Sequence, residues 1–325
     1  MDSPRYHGKN DILNSLSPLG DELRAVRINR DRLAVFSSRI DSSDFPEPRW
    51  NLPFIYPYPD EVGVDYFMLM NALNFCYWGR PKWTITYKDK TFDGAWGMFA
   101  ALKRAIDEGL PIHDGSFLAS IGPAEIKRIF RGEGEIPLLE QRLTICREVG
   151  KVLIDNFNGR FYHLVEAAEG SAIELVRLLV SYFPSFDDST EWGEHRLLFY
   201  KRAQLAPAML FERWKGTGAG TFNDIGELTA SADYKIPQVL RRLAILEYAP
   251  ELSRFVDEKR RIPARSREEL EIRTATILAC EMILKELSHR LRGVTSQSID
   301  RMLWYIGQNK SPDDKPYHLT LTTNY

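Results

Sequence analysis

The stretch from Leu228 to Leu243 reads LTASADYKIPQVLRRL and sets a carboxylate ahead of an apolar helix face. Pro237 suits the first helical position, where its missing N–H costs nothing. Ile236, Val239, Leu240 and Leu243 then recur on one side at helical spacing. A buried helix is therefore expected to start near Pro237, with Asp233 and Tyr234 in the turn before it. The positive end of a helix dipole favours the ionised form of an acid placed there. Spacing alone reads Asp233 first as a helix-start acid that satisfies unpaired N–H groups. The sharper reading is a fixed negative charge at the mouth of a pocket.

Other residues carry weaker signals. Lys201 and Arg202 lie inside an apolar stretch, FYKRAQ, and buried lysines need a partner or a cleft. Glu281 in LACEMIL has the same need. Asp300 and Trp304 are four apart on a helix and share a face. An acid beside an indole can hold a flat cation, and can equally be a solvated neighbour of a core tryptophan. Asn71 and Asn74 fall in an apolar run, as internal hydrogen-bonders or as substrate contacts. GTGAG at 216–220 lacks both the Gly-Lys-Ser/Thr ending and the preceding strand of a phosphate loop. The six histidines, His195 and His318 among them, show no metal spacing, so neither a metal nor a cofactor is expected.

The totals narrow the classes. In 325 residues, 43 basic and 45 acidic side chains give a net charge of −2, without the basic surplus that gripping duplex DNA usually brings. With 44% hydrophobic residues the chain can bury a sizeable core. Cys76, Cys146 and Cys280 are odd in number and far apart, which fits neither a disulfide framework nor a zinc site and points to a reducing, cytoplasmic setting. The polar start MDSPRYHGKND has no signal-peptide core, and no apolar run approaches the roughly 20 residues of a membrane span. A monomer is the favoured state.

The elements that would position these residues read as mainly α. Residues 1–20 are expected to be a mobile tail and 21–325 a single globular unit. Helices are expected at 21–38, 65–78, 97–108, 123–131, 138–157 and 195–214, the last with a kink at Pro207. A pair broken near Gly170 is expected across 161–183, a helix from a capping box at Ser266 to about Leu291, and a last one at 298–305. Phe45 to Pro59 holds five prolines and five aromatics and should lie extended across a surface or cleft. WTITYKDKTF at 83–92 alternates like a β-hairpin and is the one strand pair expected.

From about Asp65 to Tyr325 the chain resembles the queuosine salvage protein family. The resemblance rests on FYKRAQ at 199–204 and ADYKIPQVL at 232–240. Leu73-Asn74-Phe75 with Trp78, Asp107-Glu108-Gly109, Phe183-Pro184-Ser185-Phe186, Glu271-Ile272-Arg273, Asp300 with Trp304, and Tyr325 add to it. At Lys235 the family usually has arginine, and at Ser231 an aromatic residue is common. The resemblance implies a helical fold distantly similar to helix-hairpin-helix DNA glycosylases. It also implies an N-glycosidase that releases queuine from queuosine 5′-phosphate. Asp233 would be the catalytic carboxylate, Asp300 and Trp304 base contacts, and Lys201 a pocket residue, with Ser231, Tyr234 and Asn74 as further substrate contacts. An acid such as Asp300 would suit the amine of the queuine side chain. The expected partner is a free nucleotide, with no DNA and no membrane. The rival readings are a DNA base-excision glycosylase and a non-catalytic nucleotide-binding protein.

Overall fold

Helices and short strand pairs alternate along the chain, and the computed structural model describes residues 6–311 and 314–325. The first element is a helix, α1 (Lys9–Asp21), whose Ile12, Leu16 and Leu19 are fully buried. This corrects the expectation of a mobile tail over residues 6–20; residues 1–5 lie outside the described residues. Apolar side chains at 12, 16 and 19 follow helical spacing and pay for order by burial. The helix expected over 21–38 is instead β1 (Val26–Ile28) followed by α2 (Arg30–Arg39), which Asn29 caps by accepting from the Arg32 N–H at 3.0 Å.

The next run, α3 (Glu61–Ala72), is buried on nearly every side, and its start is fixed by Asp60, which accepts from the Gly63 N–H at 2.8 Å. It stops before Asn74, so only Asn71 of the two amides is helical, donating to the Phe67 carbonyl at 3.0 Å. The hairpin expected at 83–92 forms as β2 (Thr84–Tyr87) and β3 (Lys90–Asp93). It leads directly into α4 (Gly94–Asp107), then α5 (Gly115–Ser120), α6 (Pro123–Ile129), α7 (Leu139–Asn156), α8 (Phe161–Ala167) and α9 (Ala172–Tyr182). The helix expected from His195 begins later. Residues 189–198 form a second hairpin, β4 (Ser189–Trp192) with β5 (His195–Leu198), turned by Gly193 at φ +58°. Only after Tyr200, in the left-handed region at φ +48°, does α10 (Lys201–Trp214) start.

The helix after Asp233, α11 (Lys235–Arg242), begins two residues ahead of Pro237, which thus lies in the first turn, where an N–H is not needed. Then follow β6 (Leu246–Tyr248), α12 (Pro250–Asp257), α13 (Arg267–Ser288) and α14 (Ser296–Gln308). β6 pairs antiparallel with β1, the third strand pair among the described residues where one was expected. Both unforeseen pairs are three or four residues long, too short to show alternation. No helix among the described residues is long and apolar enough to cross a membrane.

Two apolar clusters organise the packing. One gathers α1 and α3 through α10; the other gathers α2, α11, α12, α13 and α14 with β1 and β6. The segment 228–236 stitches them together: Leu228 and Ala232 pack into the first, Ala230 and Ile236 into the second. Glu281, whose partner the sequence left open, accepts from the Ser296 hydroxyl. The three cysteines are free and buried.

Candidate active site

A cavity of about 590 Å³ lies where the two clusters meet. That is within the size range of small-molecule sites. Three segments supply its polar floor: the start of α10, the loop before α11 and one face of α14. Lys201, Leu205, Ala208, Met209 and Glu212 line it from α10, at spacings of four, three, one and three. Gln297, Asp300, Arg301, Trp304 and Gln308 line it from α14. Glu212 and Arg301 bridge the two helices at 2.5 Å. Burial pushes the Glu212 carboxyl up, and the Arg301 charge opposes that.

Asp233 acts as the cap foreseen for it. Its Oδ1 accepts from the Lys235 and Ile236 N–H groups at 2.7 and 2.9 Å. Oδ2 receives no hydrogen bond among the described residues, and the residue lines the cavity. The capping and the pocket readings therefore describe two oxygens of one carboxylate. Two residues earlier, the Ser231 N–H donates to Asp300 Oδ1 at 3.1 Å, and the Ser231 hydroxyl is buried without a partner. Asp300 is pushed up to about 8, first by burial and then by the charge of Asp233, against the Ser231 N–H and Lys201. It therefore keeps its proton at neutral pH. Burial pulls the buried Lys201 ammonium down, while the charge of Asp233 supports it.

The remaining expected residues meet at the same cavity. Trp304 stands edge-on to Trp96, ring centres 5.4 Å apart. Asn74 Oδ1 accepts from the Tyr77 hydroxyl at 2.9 Å. Tyr234 contributes its ring, since its hydroxyl is committed to the Thr320 carbonyl. That ring packs on Tyr325 at 4.7 Å. All seven residues singled out by sequence, Asn74, Lys201, Ser231, Asp233, Tyr234, Asp300 and Trp304, thus line one cavity. Sequence reasoning missed Trp50, Glu212 and Lys235. Glu212 was within reach, being eleven residues from Lys201 on one helix face.

Behind the floor sits a buried ion pair. Arg273 of α13 binds Asp188 through both terminal nitrogens, at 2.9 and 2.5 Å. Burial works against the Arg273 charge, and the Asp188 carboxylate more than offsets it. Asp188 also accepts from the Lys201 N–H at 3.3 Å, and Arg273 Nε approaches the Ala232 carbonyl at 3.4 Å. One pair therefore braces both the start of α10 and the peptide before Asp233.

The family model described as queuosine salvage protein matches residues 56–325. The chain belongs to the queuosine salvage protein family. A protein of Sphaerobacter thermophilus named queuosine 5′-phosphate N-glycosylase/hydrolase is 40% identical over 314 residues, 97% of each chain. Proteins of the same name from Bos taurus and Schizosaccharomyces pombe are 34% and 29% identical, over 82% and 87% of each chain. The first sixty residues, which the resemblance did not reach, are largely inside the match to the bacterial family member, since that match spans 97% of this chain.

Proposed function

We propose that this protein is an N-glycosidase that hydrolyses queuosine 5′-phosphate to queuine and ribose 5-phosphate. Its membership of the queuosine salvage family carries the activity, and the convergence of Asp233, Asp300 and Lys201 on one cavity supports the assignment of roles.

Cleaving the bond between ribose and base leaves positive character on the sugar, as in other glycoside cleavages. The bond's electron pair leaves with the base nitrogen, and a water oxygen ends on the anomeric carbon. The Asp233 carboxylate stabilises that sugar charge. Its Oδ2 is the free face for this task, while Oδ1 is held by the helix.

The departing base is a 7-deazaguanine, with carbon where a purine has N7. Protonation at N7 is therefore closed to the enzyme, and the base needs a donor along another edge. Asp300, neutral up to about pH 8, is a donor in place. A proton held on Asp300 gives the acid role to one carboxyl and leaves stabilisation of the sugar charge to the other, Asp233. Trp304 and Trp96 offer faces and edges to the flat base. No duplex is part of this reading: the substrate is a free nucleotide. Incubation with queuosine 5′-phosphate and mass spectrometry of the products tests it. Free queuine and ribose 5-phosphate are expected, and an intact nucleotide after long incubation with folded protein refutes it.

A further inference from the structure

Asp233 sits in a segment with little regular structure of its own. Residues 228–234 are neither helix nor strand, and α11 after them is only eight residues long. The large side chain next to Asp233 is that of Tyr234. Rotation of the peptide between the two swings the carboxylate, so whatever fixes the Tyr234 ring also fixes the aim of Asp233.

One distant segment, residues 317–325, encloses that ring. The Tyr234 ring centre lies 4.7 Å from that of Tyr325, 5.2 Å from His318 and 5.8 Å from Tyr317. Its hydroxyl donates to the Thr320 carbonyl. The segment is anchored in turn, with Tyr325 at the centre of the anchorage. The Tyr325 hydroxyl donates to Glu269 Oε1 of α13 at 2.9 Å and lies 3.2 Å from His318 Nε2. Its main-chain oxygen accepts from the Cys76 N–H at 2.9 Å, in the loop after α3. The Arg273 guanidinium lies 4.6 Å from its ring centre. Earlier in the segment, the Leu319 carbonyl accepts from the Ile262 N–H at 2.8 Å. Tyr325 is 1% exposed, so almost none of it is left to touch a ligand.

We propose that Tyr325 is a positioning residue for the glycosidase reaction. It holds the Tyr234 ring, and through that ring it keeps Asp233 Oδ1 on the helix start and Oδ2 turned to the cavity. The clamp serves the role of Asp233 proposed above and rests on it. An aromatic cluster that merely packed the segment 317–325 would affect the fold at large; a clamp affects Asp233 first.

The Lys235 and Ile236 N–H groups report on Asp233 directly. They stand at the start of α11, where no helical carbonyl is available, and Asp233 Oδ1 is their acceptor. Residue-resolved amide hydrogen exchange in Tyr325→Leu should speed these two amides about tenfold or more and leave the amides in the middle of α7 unchanged. Tyr325→Phe keeps the ring on Tyr234 and should restore most of the protection. Unchanged exchange at Lys235 and Ile236 in Tyr325→Leu overturns the proposal. Acceleration that reaches α7 equally also overturns it, because it assigns Tyr325 to the fold as a whole. Kinetics with queuosine 5′-phosphate give the second reading. Misplacing a reacting group by about 1 Å costs up to 10²-fold, so kcat should fall about 10- to 10²-fold in Tyr325→Leu with KM little changed. In an Asp233→Asn background the same substitution should add little, since both changes act through one carboxylate. An equal further loss there overturns the proposal. If wild type releases no queuine, the glycosidase reading falls by itself, and the exchange of Lys235 and Ile236 still decides whether Tyr325 holds Asp233.

Discussion

Asp233 divides its two oxygens between structure and chemistry, and a substitution can separate them. Asparagine caps helices as well as aspartate, so Asp233→Asn should keep the bonds to the Lys235 and Ile236 N–H groups and stay folded. It removes the charge. If that charge supplies about 3–4 kcal/mol, as one oxyanion-hole donor does, queuine release should slow roughly 10²–10³-fold. Substrate affinity should change much less, because the interaction is strongest in the transition state. Single-turnover rates with an equilibrium binding measurement check both, and near wild-type release by a folded variant would take the chemistry away from Asp233. Asp300 predicts a pH limb. Its raised carboxyl holds the proton until about pH 8, so the donor form is present below that and lost as pH rises through it. The rate should fall above pH 8 in wild type, and this limb should vanish in Asp300→Asn, which cannot transfer a proton; a limb that persists assigns the titration to another group. These two acids were legible because each has a local sequence context, a helix start and an i,i+4 aromatic. Trp50 was not, because it reaches the cavity from the extended segment 45–59, whose path only tertiary contacts such as Arg301 Nε to the Pro46 carbonyl at 3.0 Å decide.

At the scale of elements, periodicity revealed the long helices and failed where the chain turns within three or four residues. α7 and α14 came out within a few residues of expectation, because their apolar spacing runs for several turns. The β4–β5 hairpin did not, since HRLL reads equally as helix until Gly193 and Tyr200 turn the backbone. That misreading hid a functional boundary: Lys201 is in place because α10 starts there and no earlier. Asp188 holds the start, accepting from the Lys201 N–H while engaging Arg273. Removing one partner of a buried pair leaves the other uncompensated, at about 3–5 kcal/mol. Asp188→Ala should therefore lower stability by that order in urea denaturation. Because Arg273 also approaches the Ala232 carbonyl, the variant should lose turnover even at temperatures where it is fully folded. Normal turnover in destabilised protein would show that the pair serves the fold alone.

At the scale of the whole molecule, the N-terminal segment decides whether residues 6–325 behave as one unit, as we propose. α1 lies against α13 and β5, and its Ser15 hydroxyl accepts from the Leu198 N–H at 2.9 Å. Just after it, Glu271 of α13 accepts from the N–H groups of Arg24, Ala25 and Val26 at 2.8, 2.6 and 3.1 Å. Glu271 is itself fully buried and bound by Arg267 Nε at 2.6 Å. The segment therefore joins α13, in the second cluster, to the β4–β5 hairpin that introduces α10, in the first. Leu16 tests this with one side chain. It is fully buried in the first cluster, so Leu16→Ala should cost about 2–5 kcal/mol through lost burial and the cavity left behind. An alanine at Val35, whose side chain is 45% exposed, should change stability by less than about 0.5 kcal/mol. The informative reading is the shape of the transition. In a single unit, tryptophan fluorescence and far-ultraviolet circular dichroism shift to lower urea together in Leu16→Ala, and queuine release is lost over the same range. An early step confined to a small part of the circular dichroism, with fluorescence and queuine release unchanged, would mean that α1 melts alone and that the cavity does not depend on it.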